Sequence, residues 1–288
     1  MLAIVTATTN VERARRCLTS WVERASQPLR LFIVVNGCTR PERVEIGTQP
    51  TLWLYAEDYQ GSVPAFRKGV DAALAASARE PEPYDVIACF HDDLEIQEHG
   101  WDEKVQTYFQ RVPQMGLAGF GGAIGLGAVD LYVTPYTPMQ LARVGFRSNL
   151  VDAETHGLRS LLAERVVCLD GFSQIGRREF WLGHAYGSPF NTIRQVASDT
   201  LRPWSALQNL GFVHHFYDGA LGCLVARAGW EAWYLPVRCR HYGGQTAVGD
   251  PGYQAWAKAQ TPGGDFGFWE QAHQIGYEAF RDVLPLRV

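Results

Sequence analysis

The chain has 288 residues, 47% hydrophobic and 19% charged, with a formal net charge of -4. That length and apolar content support one large α/β domain with a buried core and exclude a chain dominated by disorder. The acidic balance argues against a surface that clamps nucleic-acid backbone broadly. A local basic groove stays open, because Arg194, Arg202, Arg227, Arg238 and Arg240 can cluster in space.

No run approaches about 20 uninterrupted apolar residues, so no membrane-spanning helix and no integral membrane association are expected. The opening MLAIVTATTN reads as a first strand and not as a signal peptide. Cys17, Cys38, Cys89, Cys168, Cys223 and Cys239 lack any CxxC spacing. They read as buried free thiols in a reducing compartment, so a cytoplasmic setting is expected.

In chain order, Leu2 to Val5 is a short apolar run and a buried strand. Thr8-Thr9-Asn10 offers capping side chains, and Val11 to Ala25 follows with Cys17, Leu18, Trp21 and Val22 at helical spacing. Leu29 to Val35 and Leu52 to Tyr55 are the next strands. Ser62 to Ala76 is an amphipathic helix, and Asp85 to Phe90 a fourth strand followed abruptly by polar residues. This alternation predicts a parallel sheet covered by helices, with ligands beyond the carboxyl ends of the strands. Those ends are Ala7 to Asn10, Asn36 to Thr39, Asp58 to Gly61 and His91 to Glu95.

The second half is less regular. Trp101 to Val112 reads as a helix, and Gly116 to Gly127 as a strand entering a loop. Residues 128–163 carry few signals. Val166 to Ile175 reads as strand, turn, strand around Asp170-Gly171; Asp218 to Gly229 is a helix, and Trp233 to Arg240 a strand. The stretch from Gly243 to Gly267 reads as long loops.

Four segments could carry chemistry. The strand Asp85 to Phe90 delivers His91-Asp92-Asp93, and carboxylates there suit a magnesium or manganese ion holding a diphosphate. The bland alternative is a turn or capping pair of acids. His214-His215-Phe216-Tyr217-Asp218 puts an acid beside aromatics at a helix start, a candidate general base or a plain N-cap. In Arg240-His241-Tyr242-Gly243-Gly244-Gln245-Thr246, His241 is a candidate metal ligand or an ordinary loop histidine. Asp170-Gly171-Phe172 is either a close approach of backbone to substrate or a tight turn.

Taken in this order, the segments resemble the family 2 glycosyltransferases of the GT-A fold, over roughly residues 2–248. IVTATTN at 4–10 is similar to the family's opening strand, and FIVVNGCTRP at 32–41 to its second strand, with Asn36 near the usual Asp. Gly61 to Gly69 is similar to the G-x-x-x-A-x-N-x-G helix start, with Arg67 where Asn is common. HDD at 91–93 stands in the place of the DxD motif, with His91 replacing its first acid. CLDGFSQIGRREFW at 168–181 is similar to the donor- and acceptor-contacting stretch. FYDGALGCLVARAGWEAWYLP at 216–236 resembles the segment that carries a catalytic Asp, and RHYGGQT at 240–246 the late histidine segment.

The resemblance implies a Rossmann-like, mostly parallel central sheet flanked by helices. Within a single domain spanning 1–288, residues 1–127 would form the nucleotide-sugar half and 128–288 the acceptor and catalytic half. It implies an inverting transferase that moves a sugar from a UDP- or GDP-type nucleotide-sugar to a hydroxyl acceptor, with Mn²⁺ or Mg²⁺ as cofactor. Asp218 would be the base, and Asp93 and His241 the metal ligands. Thr8, Thr9, Asn36, Asp58, Arg67, His91 and Asp92 would meet the nucleotide, and Asp170 and Gly171 the donor sugar. Trp181 and Trp204 are candidates for stacking on a sugar or base, or for core packing.

A sugar-nucleotidyltransferase is the competing enzyme class, but TATTNVERAR lacks the glycine-rich basic loop expected after its first strand. A non-catalytic sugar- or nucleotide-binding module would not need Asp218 together with the metal ligands. The acceptor would be a saccharide, or a hydroxymethylated pyrimidine of phage DNA, which would require a local basic groove and a flipped base.

Overall fold

The computed structural model describes residues 1–37, 46–127, 143–151, 157–187, 202–243 and 251–288. Cys38, Thr39, Arg194 and the Gly244-Gln245-Thr246 part of the late motif lie outside these residues.

The four apolar runs of the first ninety residues form β1 (Leu2–Thr8), β2 (Leu29–Asn36), β3 (Thr51–Ala56) and β4 (Val86–His91). β1 pairs in parallel with both β2 and β4, and β2 with β3. Side chains alternate across this sheet. Leu2 and Ile4 join Ala14, Cys17, Leu18 and Trp21 of α1 (Val11–Glu23), while Ala3 and Val5 join Val63, Phe66 and Val70 of α2 (Ser62–Ser77). Both faces are therefore buried, which is why the strands read as continuous apolar runs. α2 lies very close to the sheet because Gly69 has no side chain; a Cβ there would stand 2.2 Å from Val5 Cγ1.

The chain continues through β5 (Leu94–Ile96), α3 (Trp101–Arg111), β6 (Met115–Gly119), β7 (Gly121–Leu126), β8 (Arg143–Ser148) and β9 (Leu158–Arg159). Next come β10 (Glu164–Val166), β11 (Cys168–Leu169), β12 (Ser173–Arg177), α4 (Arg178–Trp181), α5 (Pro203–Asn209) and α6 (Tyr217–Arg227). The last elements are β13 (Glu231–Tyr234), β14 (Cys239–His241), α7 (Pro251–Gln260), α8 (Gly264–Ala279) and β15 (Leu286–Arg287).

The main sheet has eight strands in the order β10-β13-β6-β12-β4-β1-β2-β3. It is mixed, because β12 runs antiparallel to both β4 and β6. A second sheet, β11-β7-β8-β9 with β15 on β7, packs beside it, and β5 pairs with β14 alone. This is a mixed α/β architecture with a large, largely parallel central sheet, consistent with a Rossmann-like fold.

Three expectations are corrected. Gly116 to Gly127 is not one strand entering a loop but two strands, β6 in the main sheet and β7 in the second. Trp233 to Arg240 is not one strand: β13 ends before Pro236, which cannot donate to a ladder, and β14 begins at Cys239. Part of the stretch read as long loops is helical, because Tyr253, Ala257 and Phe268 of α7 and α8 bury one face into a satellite core with Tyr59, Val213 and Trp256.

Among the described residues five cysteines are free and buried. Burial pushes the Cys17 and Cys168 thiols up to about 12, so neither is a nucleophile at neutral pH. No helix among the described residues is long and apolar enough to cross a membrane.

Candidate active site

At the carboxyl end of β4 the chain turns through Asp92 and Asp93 into β5. β14 then returns antiparallel to β5, with His241 opposite Leu94, and Tyr242 N donates to Asp93 O at 3.1 Å. This short ladder carries His241 across 148 positions of sequence to Asp93: its Nε2 lies 3.2 Å from Asp93 Oδ1. His91 Nδ1 stands 3.9 Å from the same oxygen. One donor atom each from His91, Asp93 and His241 lies within 4.8 Å of the others, a spacing that fits a cation.

The surroundings fit a cation as well. Phe172 packs its ring against His241 at 4.7 Å, and His241 Nδ1 is buried with no hydrogen-bond partner among the described residues. Burial works against a charged His241, but the nearby carboxylates of Asp93, Asp170 and Asp92 outweigh it and hold its pKa above the ordinary value. His91 goes the other way, because burial lowers it more than Asp93 raises it. Two imidazole nitrogens with a carboxylate suit Mn²⁺ or another transition ion better than Mg²⁺, which prefers oxygen alone.

From this cluster a chain of contacts leads to Asp218. His91 Nε2 and Tyr217 Oη are 2.6 Å apart, and Tyr217 Oη donates to Gly171 O at 3.2 Å. Gly171 N donates to Asp218 Oδ2 at 3.1 Å. The left-handed Phe216, at φ 58°, starts α6 so that Tyr217 and Asp218 are both buried at its first turn. Gly171 is the contact point: a Cβ there would stand 2.6 Å from Tyr217 Oη and 3.4 Å from Asp218 Oδ2.

Asp218 Oδ2 also takes Arg143 Nη2 at 2.5 Å, and Oδ1 takes Gly219 N at 2.8 Å. Burial alone would lower Arg143, but Asp218, Cys168 and Asp170 outweigh it and raise it, so the guanidinium stays charged. Asp170 bears on His91, His241, Arg143 and Tyr217 alike, which puts its carboxylate amid the whole group.

The other sequence candidates divide. Thr8 Oγ1 donates to Asp92 Oδ2 at 2.7 Å, tying the ends of β1 and β4 together, and Thr9 Oγ1 is buried without a hydrogen-bond partner among the described residues. Asn36 is buried with both ends of its amide engaged: Nδ2 donates to Gly61 O at 3.1 Å, and Oδ1 accepts from Gln60 N at 3.0 Å. Asp58 is exposed beyond β3. Arg67 is not brought to the cluster. It is turned one helical step from Phe66, which faces His91, and meets Gln208 at 2.8 Å and Asp71 at 3.6 Å. Trp181 and Trp204 are buried and stack on each other at 5.8 Å, so both are core residues.

Sequence reasoning missed Arg143, Tyr217 and Phe172. Tyr217 and Phe172 flank residues already singled out and were within reach. Arg143 follows a stretch with no pattern to read.

No family model matches the sequence, and no curated protein matches it. Among solved structures, the crystal structure of A197 from STIV is similar over 84% of this chain and 85% of that one, at 9% identity and a TM-score of 0.41. So loose a likeness carries no statement about chemistry.

Proposed function

We propose that this chain is a metal-dependent glycosyltransferase of the GT-A type, moving a sugar from a UDP- or GDP-type nucleotide-sugar to a hydroxyl acceptor with inversion. The observation that carries the reading is the convergence of Asp93, His241 and Asp218 at one end of the central sheet, joined through His91, Tyr217 and Gly171. On this reading residues 1–127 bind the donor and 128–288 supply the acceptor side and the base.

His91, Asp93 and His241 would hold the ion, Mn²⁺ in preference to Mg²⁺, and such an ion supplies countercharge to a departing diphosphate. Asp92, Thr8 and Thr9, at the ends of β1 and β4, would meet the nucleotide. Asn36 acts indirectly, by fixing the Gln60-Gly61 turn that begins α2. Asp218 accepts the acceptor's proton through Oδ1, which takes only Gly219 N among the described residues and so keeps an acceptor position. As that proton moves, the acceptor oxygen bonds the anomeric carbon from one face. The bond from that carbon to the diphosphate oxygen breaks on the other, and the electron pair leaves with the nucleoside diphosphate. Arg143 and Gly171 N hold the Asp218 carboxylate in place through Oδ2.

The test is a turnover assay with UDP- and GDP-sugars, Mn²⁺ and a panel of hydroxyl acceptors. Wild type is expected to release nucleoside diphosphate and form an inverted glycoside. Asp218→Asn is expected to bind donor normally and to lose transfer by about 100-fold or more. Release of pyrophosphate, or an undiminished rate in Asp218→Asn, contradicts the proposal.

A further inference from the structure

A second group of donors lies outside the site just described. His214 and His215 precede α6, and Asp265 sits in the first turn of α8. One donor atom from each lies within 4.8 Å of the others. His215 Nε2 is 2.7 Å from Asp265 Oδ1, and the two imidazoles stand nearly perpendicular with centroids 4.8 Å apart.

The partners around these three side chains orient them. Ser62 Oγ lies 2.9 Å from His214 Nδ1 and Tyr59 Oη 3.4 Å from it. Tyr253 Oη donates to Asp265 Oδ1. Hydrogen-bond partners around a metal ligand set its orientation and basicity. One flank is apolar, with Tyr253, Ala257 and Phe268 buried against Tyr59 and Trp256. The other is open: the His215 and Asp265 side chains are 23% and 36% exposed.

We propose that His214, His215 and Asp265 form a second divalent-metal site, suited to Zn²⁺, that fastens α7 and α8 to the segment preceding α6 and to the start of α2. Two imidazoles and one carboxylate with a water-accessible fourth position are a common zinc donor set. The fold gives the ion a purpose. The satellite core of α7 and α8 is small, and the contact between His215 and Asp265 closes a separation of 50 residues. An ion shared across that closure stabilises the folded arrangement by binding it in preference to the open chain. This site stands apart from the transferase reading and does not depend on it.

The test uses the full chain stripped of metal and titrated with Zn²⁺ against a chromophoric chelator. The Asp93→Asn variant isolates the second group by disabling the first. It is expected to bind one Zn²⁺ and to show a higher thermal midpoint with Zn²⁺ than without. Adding Asp265→Asn or His215→Gln is expected to weaken that binding by about 100-fold or more and to remove the thermal shift. Tyr253→Phe, which keeps all three ligands, is expected to weaken it by about 10-fold. Loaded with Co²⁺, Asp93→Asn is expected to show the intense visible bands of a four-coordinate ion, a readout that needs no variant at the site itself. Zn²⁺ affinity and stoichiometry unchanged by Asp265→Asn and His215→Gln would overturn the proposal. So would a Co²⁺ spectrum of the hydrated ion alone.

Discussion

Arg143 and Asp218 form the pair on which the candidate base depends, and the two should not be equally costly to remove. The Asp218 side chain is 10% exposed, whereas the Arg143 side chain is 28% exposed. Among the described residues, Arg143→Met leaves a buried carboxylate facing Gly171 N and Gly219 N alone. Breaking a buried pair from one side costs about 3–5 kcal/mol, and the two remaining donors place this case near 3 kcal/mol. For a chain of this size that lowers the thermal midpoint by about 6 °C. Asp218→Asn leaves a guanidinium that water can reach, at a cost of about 1–2 kcal/mol. The double variant is expected to cost less than the sum of the singles by about 1–3 kcal/mol. Urea unfolding followed by tryptophan fluorescence measures all four proteins. Additive costs, or a costlier Asp218→Asn than Arg143→Met, would refute the pairing as drawn.

Other consequences follow from single contacts. Asn36→Ala removes both hydrogen bonds that hold Gln60 and Gly61 and is expected to cost about 1–3 kcal/mol and to weaken donor binding; an unchanged urea midpoint would count against that role. Gly69→Ala drives a methyl into Val5 and is expected to cost about 1–3 kcal/mol in the same assay, with no loss meaning that α2 can lift away freely. His273 in α8 is pushed down to about 4 by burial and by the nearby Arg143. The unfolded chain takes up that proton near pH 6.5 and the folded chain only near 4. Stability is therefore lost as pH falls through that window, by up to about 3 kcal/mol. His273→Gln is expected to flatten this acid limb, and an equally steep decline in the variant would contradict the assignment.

The first half of the fold was legible because its strands are buried on both faces. Leu2 to Val5, Leu29 to Val35 and Asp85 to Phe90 stand out as unbroken apolar runs, and polar residues mark where each run ends. His91, Asp92 and Asp93 could be picked out for that reason. His241 was visible as a histidine after a strand, although the strand in question is the short β14, set off by Pro236. The pattern of α7 and α8 was masked by glycine and proline at their starts, and their apolar faces serve only a small satellite core. Arg143 had no local signal, since its partner Asp218 lies 75 residues away and only tertiary pairing joins them. Asp265 was silent in the same way: the His214-His215 pair is conspicuous, but the acid that completes the group is 50 residues further on.

If His91, Asp93 and His241 hold a divalent ion against the donor's diphosphate, nucleotide binding depends on that ion. Calorimetric titration of UDP and GDP into wild type and Asp93→Ala, each with Mn²⁺ and with chelator, tests it most directly. Wild type is expected to bind one of the two nucleotides strongly and only with Mn²⁺, and Asp93→Ala to bind weakly and indifferently to Mn²⁺. Equal, Mn²⁺-dependent affinity in both proteins would contradict it.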